Sequence, residues 1–204
     1  MELDELFYNL NNIKYTHKAN GLDYAVKKSG TALYVYFEDS DGALDWEANL
    51  DFPAKHSGAF FAHRGFLRMW ESAKPFILEE ILNPEVKKII ISGYSHGAAL
   101  AVLCHEFAYR LRPDLREEIF GYGFGCPRVL WGIKTKMHRK IWKNFTVIKN
   151  IDDLVTHLPP AFFGYFHVGE ILKIGEKGKY SKIDAHRPES YTKELLKIKN
   201  QGRK

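Results

Sequence analysis

Alternating or β-rich apolar runs predict strands at 22–27, 31–37, 87–92, 119–124, 145–150 and 165–174, and between several of them the apolar period lengthens to that of a helix. Phe66, Met69, Trp70, Phe76, Ile77 and Ile81 fall near helical spacing, with Pro75 expected to bend or restart that helix. An Ala/Leu-rich stretch at 98–111 stops before Pro113, and 132–143 and 190–199 are weaker amphipathic segments. Strands that alternate with helices predict an α/β architecture around a largely parallel sheet. The nearly unbroken isoleucine run ending at Ser92 reads as a central strand covered on both faces. No repeat, low-complexity tract or linker divides the chain, so one domain over 1–204 is expected.

Composition removes several classes. With 45% hydrophobic and 14% aromatic residues in 204, the chain is too apolar for disorder and sufficient for one sizeable core. Cys104 and Cys126 cannot form a disulfide scaffold, and no Cys/His spacing resembles a zinc site, so neither metal nor cofactor is expected. The first residues are acidic where a signal peptide is basic, and no run approaches the roughly 20 apolar residues of a membrane span. A cytoplasmic location is the expectation, with release by a route that needs no signal left open. The net charge of +5 arises entirely in the last 35 residues, which hold 10 Lys/Arg against 5 Asp/Glu. A basic terminal helix and tail, about 188–204, fits a solvated end or weak attraction to anionic lipid. No zinc finger, RNP-like motif or basic heptad points to nucleic acid.

Directly after the central strand comes Gly93-Tyr94-Ser95-His96-Gly97-Ala98-Ala99, followed at once by the Ala/Leu-rich helix. A serine forced into a sharp turn at a strand end needs small neighbours two residues away on each side, and Gly93 and Gly97 supply that room. The same geometry points the helix N-terminus, with its open amides, at the serine oxygen, where negative charge develops in acyl transfer. A helix-capping serine in an ordinary strand-to-helix turn is the plainer alternative.

A serine hydroxyl needs a base, and in such folds the chain order is Ser, then Asp or Glu, then His. After the strand at 145–150 lies Asp152-Asp153, an address suited to the orienting carboxylate and equally to an exposed turn. His157 is too near these acids to stand on a separate loop, and His167 sits in an apolar run that suggests a structural role. His186 lies in a polar loop between the last strand and the terminal helix. The expected roles are Ser95 as nucleophile, His186 as general base and then acid, and Asp153 as the group that holds the imidazole tautomer.

With these residues in hand, the chain resembles the class 3 lipase family, α/β hydrolases typified by fungal triacylglycerol lipases, over about residues 33–191. The elbow Gly93-Tyr94-Ser95-His96-Gly97-Ala98-Ala99-Leu100-Ala101 is similar to the family's Gly-His-Ser-Leu-Gly-Gly-Ala-Leu-Ala. Ala62-His63-Arg64-Gly65-Phe66 with Trp70, Gly125-Cys126-Pro127-Arg128-Val129, and Asp153-Leu154-Val155-Thr156-His157-Leu158-Pro159-Pro160 resemble three further family motifs. Counting back from Leu158-Pro159-Pro160 selects Asp153 over Asp152, and Asp184, His186 and Tyr191 reproduce the family's histidine neighbourhood.

The resemblance implies an α/β-hydrolase fold with a mixed, mostly parallel sheet, and an oxyanion hole made by Ser40 and the His96 amide. It also implies a lid-like segment over about 41–58. In place of the family's Phe-Arg-Gly-(Ser/Thr), this chain has Phe37-Glu38-Asp39-Ser40, and His96 replaces a leucine. Ala43, Leu44, Trp46, Leu50 and Phe52 fit either a lid that opens at a lipid surface or a short helix packed permanently on the core. His63 is expected to be structural. The implied function is hydrolysis of a carboxylic ester of lipid type through an acyl-enzyme on Ser95. A soluble esterase or thioesterase with the same triad, and a hydrolase-fold binding protein that has lost catalysis, are the alternatives. The expected partners are an acyl ester or lipid substrate and a transient contact with a lipid surface, with no nucleic acid and no transmembrane segment.

Overall fold

The computed structural model describes residues 2–19, 22–38, 53–57 and 59–201. Strands β1 (His17–Ala19), β2 (Leu22–Ser29), β3 (Ala32–Phe37), β6 (Lys88–Tyr94), β7 (Ile119–Phe124), β9 (Phe145–Asn150) and β11 (Glu170–Ile174) form a seven-stranded sheet in that spatial order. The β1–β2 and β2–β3 pairs are antiparallel, and every pairing from β3 to β11 is parallel. A smaller antiparallel sheet joins β4 (Ala54–His56), β5 (Phe61–His63), β8 (Leu130–Trp131) and β10 (Tyr165–Phe166) in the order β10-β8-β5-β4.

The period-2 alternation of the strands sorts their side chains into two cores. Leu33, Val35, Phe37, Ile89 and Ile91 face one side, under α2 (Arg64–Ile81) and α3 (His96–Leu111). Tyr36, Ile90 and Tyr94 face the other, where α1 (Leu3–Asn12) and α5 (Pro188–Gln201) contribute Leu6, Phe7, Leu10, Tyr191 and Leu195. β6 is covered on both faces, as its isoleucine run implies. The fold is the α/β-hydrolase architecture expected from the sequence.

Three expectations change. Helix α2 runs through Pro75 without restarting. Proline costs about 3 kcal/mol inside a helix, whereas burying Trp70, Ile77 and Ile81 on one face returns roughly 1.5–3 kcal/mol each. The expected strand at 165–174 divides at Gly169, whose φ is +63°, so β10 joins the small sheet and β11 the large one. The helix expected at 132–143 contracts to α4 (Lys136–Ile141), started by a capping box between Thr135 and His138. Ala54–His56 of the lid-like segment form a strand paired with β5, and residues 41–52 lie outside the described residues. Among the described residues, no helix is long and apolar enough to cross a membrane.

Candidate active site

Ser95 stands between the end of β6 and the first turn of α3, with φ 54° and ψ −119°. A non-glycine residue in this region carries about 1–3 kcal/mol of strain and persists only where its surroundings fix it. Ser95 N–H donates to the Phe124 carbonyl at 2.9 Å, and Ala98 N–H donates to the Ser95 carbonyl at 3.1 Å. The flanking glycines are obligatory. A Cβ on Gly93 would lie 2.2 Å from the Gly97 carbonyl oxygen, and one on Gly97 would lie 2.3 Å from that of Phe37.

Parallel pairing delivers the remaining groups to the same sheet edge. β9 ends at Asn150, and three residues on the Asp153 carboxylate is fully buried. His186 ends the 3-10 turn Asp184–His186 just before α5. Its Nδ1–H donates to Asp153 Oδ2 at 2.8 Å, and its Nε2 accepts the Ser95 hydroxyl at 2.8 Å. A carboxylate only accepts, so the proton sits on Nδ1 and Nε2 is free to take the serine proton. The Tyr94 ring stacks on the imidazole with centroids 5.2 Å apart, and Gly125 packs against its other atoms so closely that a Cβ there would lie 2.9 Å from His186 Cε1.

A buried carboxylate must be satisfied by donors. Asp153 Oδ1 accepts the Val155 amide at 2.8 Å, and Oδ2 also accepts the Tyr191 hydroxyl at 2.6 Å. The Tyr191 oxygen in turn accepts the Asn150 amide at 3.1 Å. Burial first, and then the Asp153 charge, push the Tyr191 phenol well above its usual range, so it stays protonated and donates. This role of Tyr191 is the part of the site that sequence motifs did not reveal; its place five residues after His186 was visible, its target was not.

Asp152, the other acid of the pair, has a different task. Its carboxylate accepts the amides of Gly178 and Lys179 at 3.0 Å and of Tyr180 at 3.3 Å, tying down the loop that leads to His186. These amides, that of Gly178 foremost, hold its carboxyl below the usual range. His167 is buried and bonded through Nε2 to the Thr156 carbonyl at 2.8 Å, and burial pushes it down to about 3, while His157 is exposed. His63 stacks on Phe66 at 4.4 Å. Both fit the structural roles expected for them.

His96 opens α3, so its amide belongs to the open N–H groups of a helix start beside Ser95. Its ring meets Phe66 edge-on at 5.8 Å, and burial, with His63 and His186 nearby, pushes its pKa down to about 4. The ring is therefore neutral at ordinary pH and adds no charge near Ser95. β3 pairs Phe37 with Gly93, so the chain leaves β3 beside the elbow, and Ser40 itself lies outside the described residues. Among the described residues, no group of three or more His, Cys, Asp or Glu is placed to hold a metal ion.

A strained serine at a strand end, bonded to an imidazole that is bonded to a buried carboxylate on a mostly parallel sheet, defines the serine class of α/β hydrolases. The model of the family Lipase (class 3) matches residues 34–163, well over half of the chain. The chain belongs to the class 3 lipase family. It is 29% identical over 153 residues to a lipase of Rhizomucor miehei, covering 70% of this chain and 41% of that protein. The chain thus spans about two fifths of that relative. A solved triacylglycerol lipase, described as having a serine protease triad for its catalytic centre, superposes with a TM-score of 0.68 at 25% identity, covering 80% of this chain and 66% of that one. A fungal lipase–inhibitor complex, described as a model for interfacial activation, shares the fold with a TM-score of 0.69 at 21% identity over 85% of this chain and 78% of its own.

Proposed function

We propose that this protein hydrolyses carboxylic esters of lipid type through an acyl-enzyme on Ser95. The observation that carries the proposal is the continuous hydrogen-bonded line from Ser95 through His186 to buried Asp153. Ser95 Oγ attacks the ester carbonyl carbon as its proton passes to His186 Nε2, and the carbonyl electron pair moves onto oxygen. The His96 amide, with Ser40 as the second donor, stabilises that oxyanion. Collapse breaks the bond to the alcohol oxygen, which takes the proton from His186 and leaves. Water then attacks the acyl-enzyme, giving its proton to Nε2, and a second collapse returns that proton to Ser95 and releases the acid. Asp153 favours the imidazolium formed in each step.

Relatives described as lipases support an acyl ester of lipid type as the substrate. The test is hydrolysis of a short-chain nitrophenyl ester by the whole chain and by Ser95→Ala. The expected loss in kcat is on the order of 10⁶-fold. A variant that keeps more than about 1% of the activity overturns the assignment.

A further inference from the structure

The balance of charge over residues 1–169 conceals a segregation along the chain. Residues 119–151 contain seven Lys/Arg and no Asp or Glu. Within this stretch, 131–140 lie almost wholly on the surface, and Lys134, Lys136, Arg139 and Lys140 are all exposed. Large apolar side chains stand out beside them. Ile133 is 85% exposed and Phe162 83%, and Trp131, Met137, Phe163 and Phe61 are exposed as well.

This is one face rather than scattered positions. Trp131 Nε1–H donates to the Phe163 carbonyl at 2.8 Å, the Phe61 ring meets Trp131 edge-on at 5.6 Å, and Phe162 packs on Phe163 at 4.4 Å. Lys134 Nζ lies 5.5 Å over the Phe166 ring of the neighbouring strand. A cleft of about 500 Å³ opens between these rings, lined by Pro53, Ala54, Phe61, Trp131, Phe163 and Tyr165. Rings lead from it towards the nucleophile: Tyr165 lies 6.0 Å from His63, His63 4.4 Å from Phe66, and Phe66 5.8 Å from His96. Helix α4 is anchored from beneath by buried Ile141 and Trp142, which leaves its lysines outward.

Exposed aromatic and aliphatic side chains interleaved with cations, with no acid in the segment, match a membrane surface in two ways. The apolar groups enter the headgroup boundary and the cations meet anionic headgroups. We infer that this face docks the protein on an anionic lipid surface. The inference extends the ester hydrolase reading by naming the surface on which that site works, and it is tested apart from hydrolysis.

The experiment is co-sedimentation of the whole chain with vesicles of ether-linked phosphatidylcholine, alone or with about 30% ether-linked phosphatidylglycerol, at about 0.1 and 0.5 M salt. Ether lipids carry no acyl ester, so binding is read without turnover. Retention on the anionic vesicles is expected to exceed that on phosphatidylcholine by about 20-fold or more and to fall in the higher salt. Lys136→Gln with Lys140→Gln should weaken it about 25-fold, and Phe162→Ser about tenfold; all three side chains are exposed, so the variants should fold. Equal binding to both vesicles, no binding, or binding untouched by the lysine variant overturns the inference. So does a dimer in solution that Phe162→Ser dissociates. Fluorophosphonate labelling of the same samples separates the readings. Labelling without retention removes the docking face alone, and retention without labelling removes the hydrolase alone.

Discussion

At Tyr191 a phenol shares one carboxylate oxygen with the imidazole it helps to orient, and nothing in the local sequence names that partner. The contact exists because α5 packs Tyr191 against Phe7 and Tyr94, which fixes where its hydroxyl ends. Hydrogen bonds to a charged group contribute about 1.5–3 kcal/mol, so Tyr191→Phe should lower stability in urea by about that much and kcat by roughly tenfold. Unchanged values for both would show that the remaining donors, His186 and Val155, hold Asp153 alone. Ser95, Gly93 and Gly97 were legible because steric necessity writes the same short motif wherever a strand turns sharply into a helix. Order along the chain points to the acid pair and to a later histidine; the resemblance at Leu158-Pro159-Pro160 selects Asp153, and a polar loop selects His186. The Ser40 assignment falls outside the described residues.

Among the elements, the loop from 176 to 187 matters most, because it carries His186 and has little regular structure of its own. Its anchors include the three amide hydrogen bonds to Asp152, the contact of Glu194 with Lys179 and Tyr180, and the bond from the Asn150 side chain to the Ala185 carbonyl. Asp152→Ala removes the first anchor. Amide exchange at 178–186 should then rise, and kcat should fall on the order of 10-fold to 10²-fold through misplacement of the base. Exchange that does not change would contradict the anchoring role. The motif at Leu158-Pro159-Pro160 already selects Asp153 of the adjacent acids, and what only the fold adds is that Asp152 holds a loop. Long periodic segments, α2 and α3, and the buried strands were legible. Helix α1 was not. Leu3, Leu6, Phe7 and Leu10 do stand at helical spacing, but with ten residues and no side-chain N-cap the helix is held by packing Leu6, Phe7 and Leu10 against α5 and the sheet. The division of 165–174 at Gly169 is likewise tertiary, since a Cβ there would lie 2.0 Å from the Phe145 carbonyl oxygen.

At the level of the whole molecule, buried histidines contribute to the response to acid. Burial pushes His105 down to about 4 and His167 to about 3. Both are neutral in the fold, and in the unfolded chain they take up protons below about pH 6.5. The unfolded state binds more protons in that range, so their contribution is full above about pH 6.5 and is lost as pH falls towards 4, at about 1.4 kcal/mol per unit for each. Denaturant melts between about pH 7 and 5 should show this decline. His105→Gln, which keeps a donor for the Ile141 carbonyl, should shallow it by one proton, and an unaltered slope would contradict the assignment. The same scale carries the separation of charge that the overall balance hid. The central claim, that folding activates Ser95, is tested most directly by a fluorophosphonate probe followed by intact mass. The expected result is one adduct on the native chain, absent from Ser95→Ala and from acid-unfolded protein; a native chain that stays unlabelled, or an adduct that survives Ser95→Ala, would contradict it.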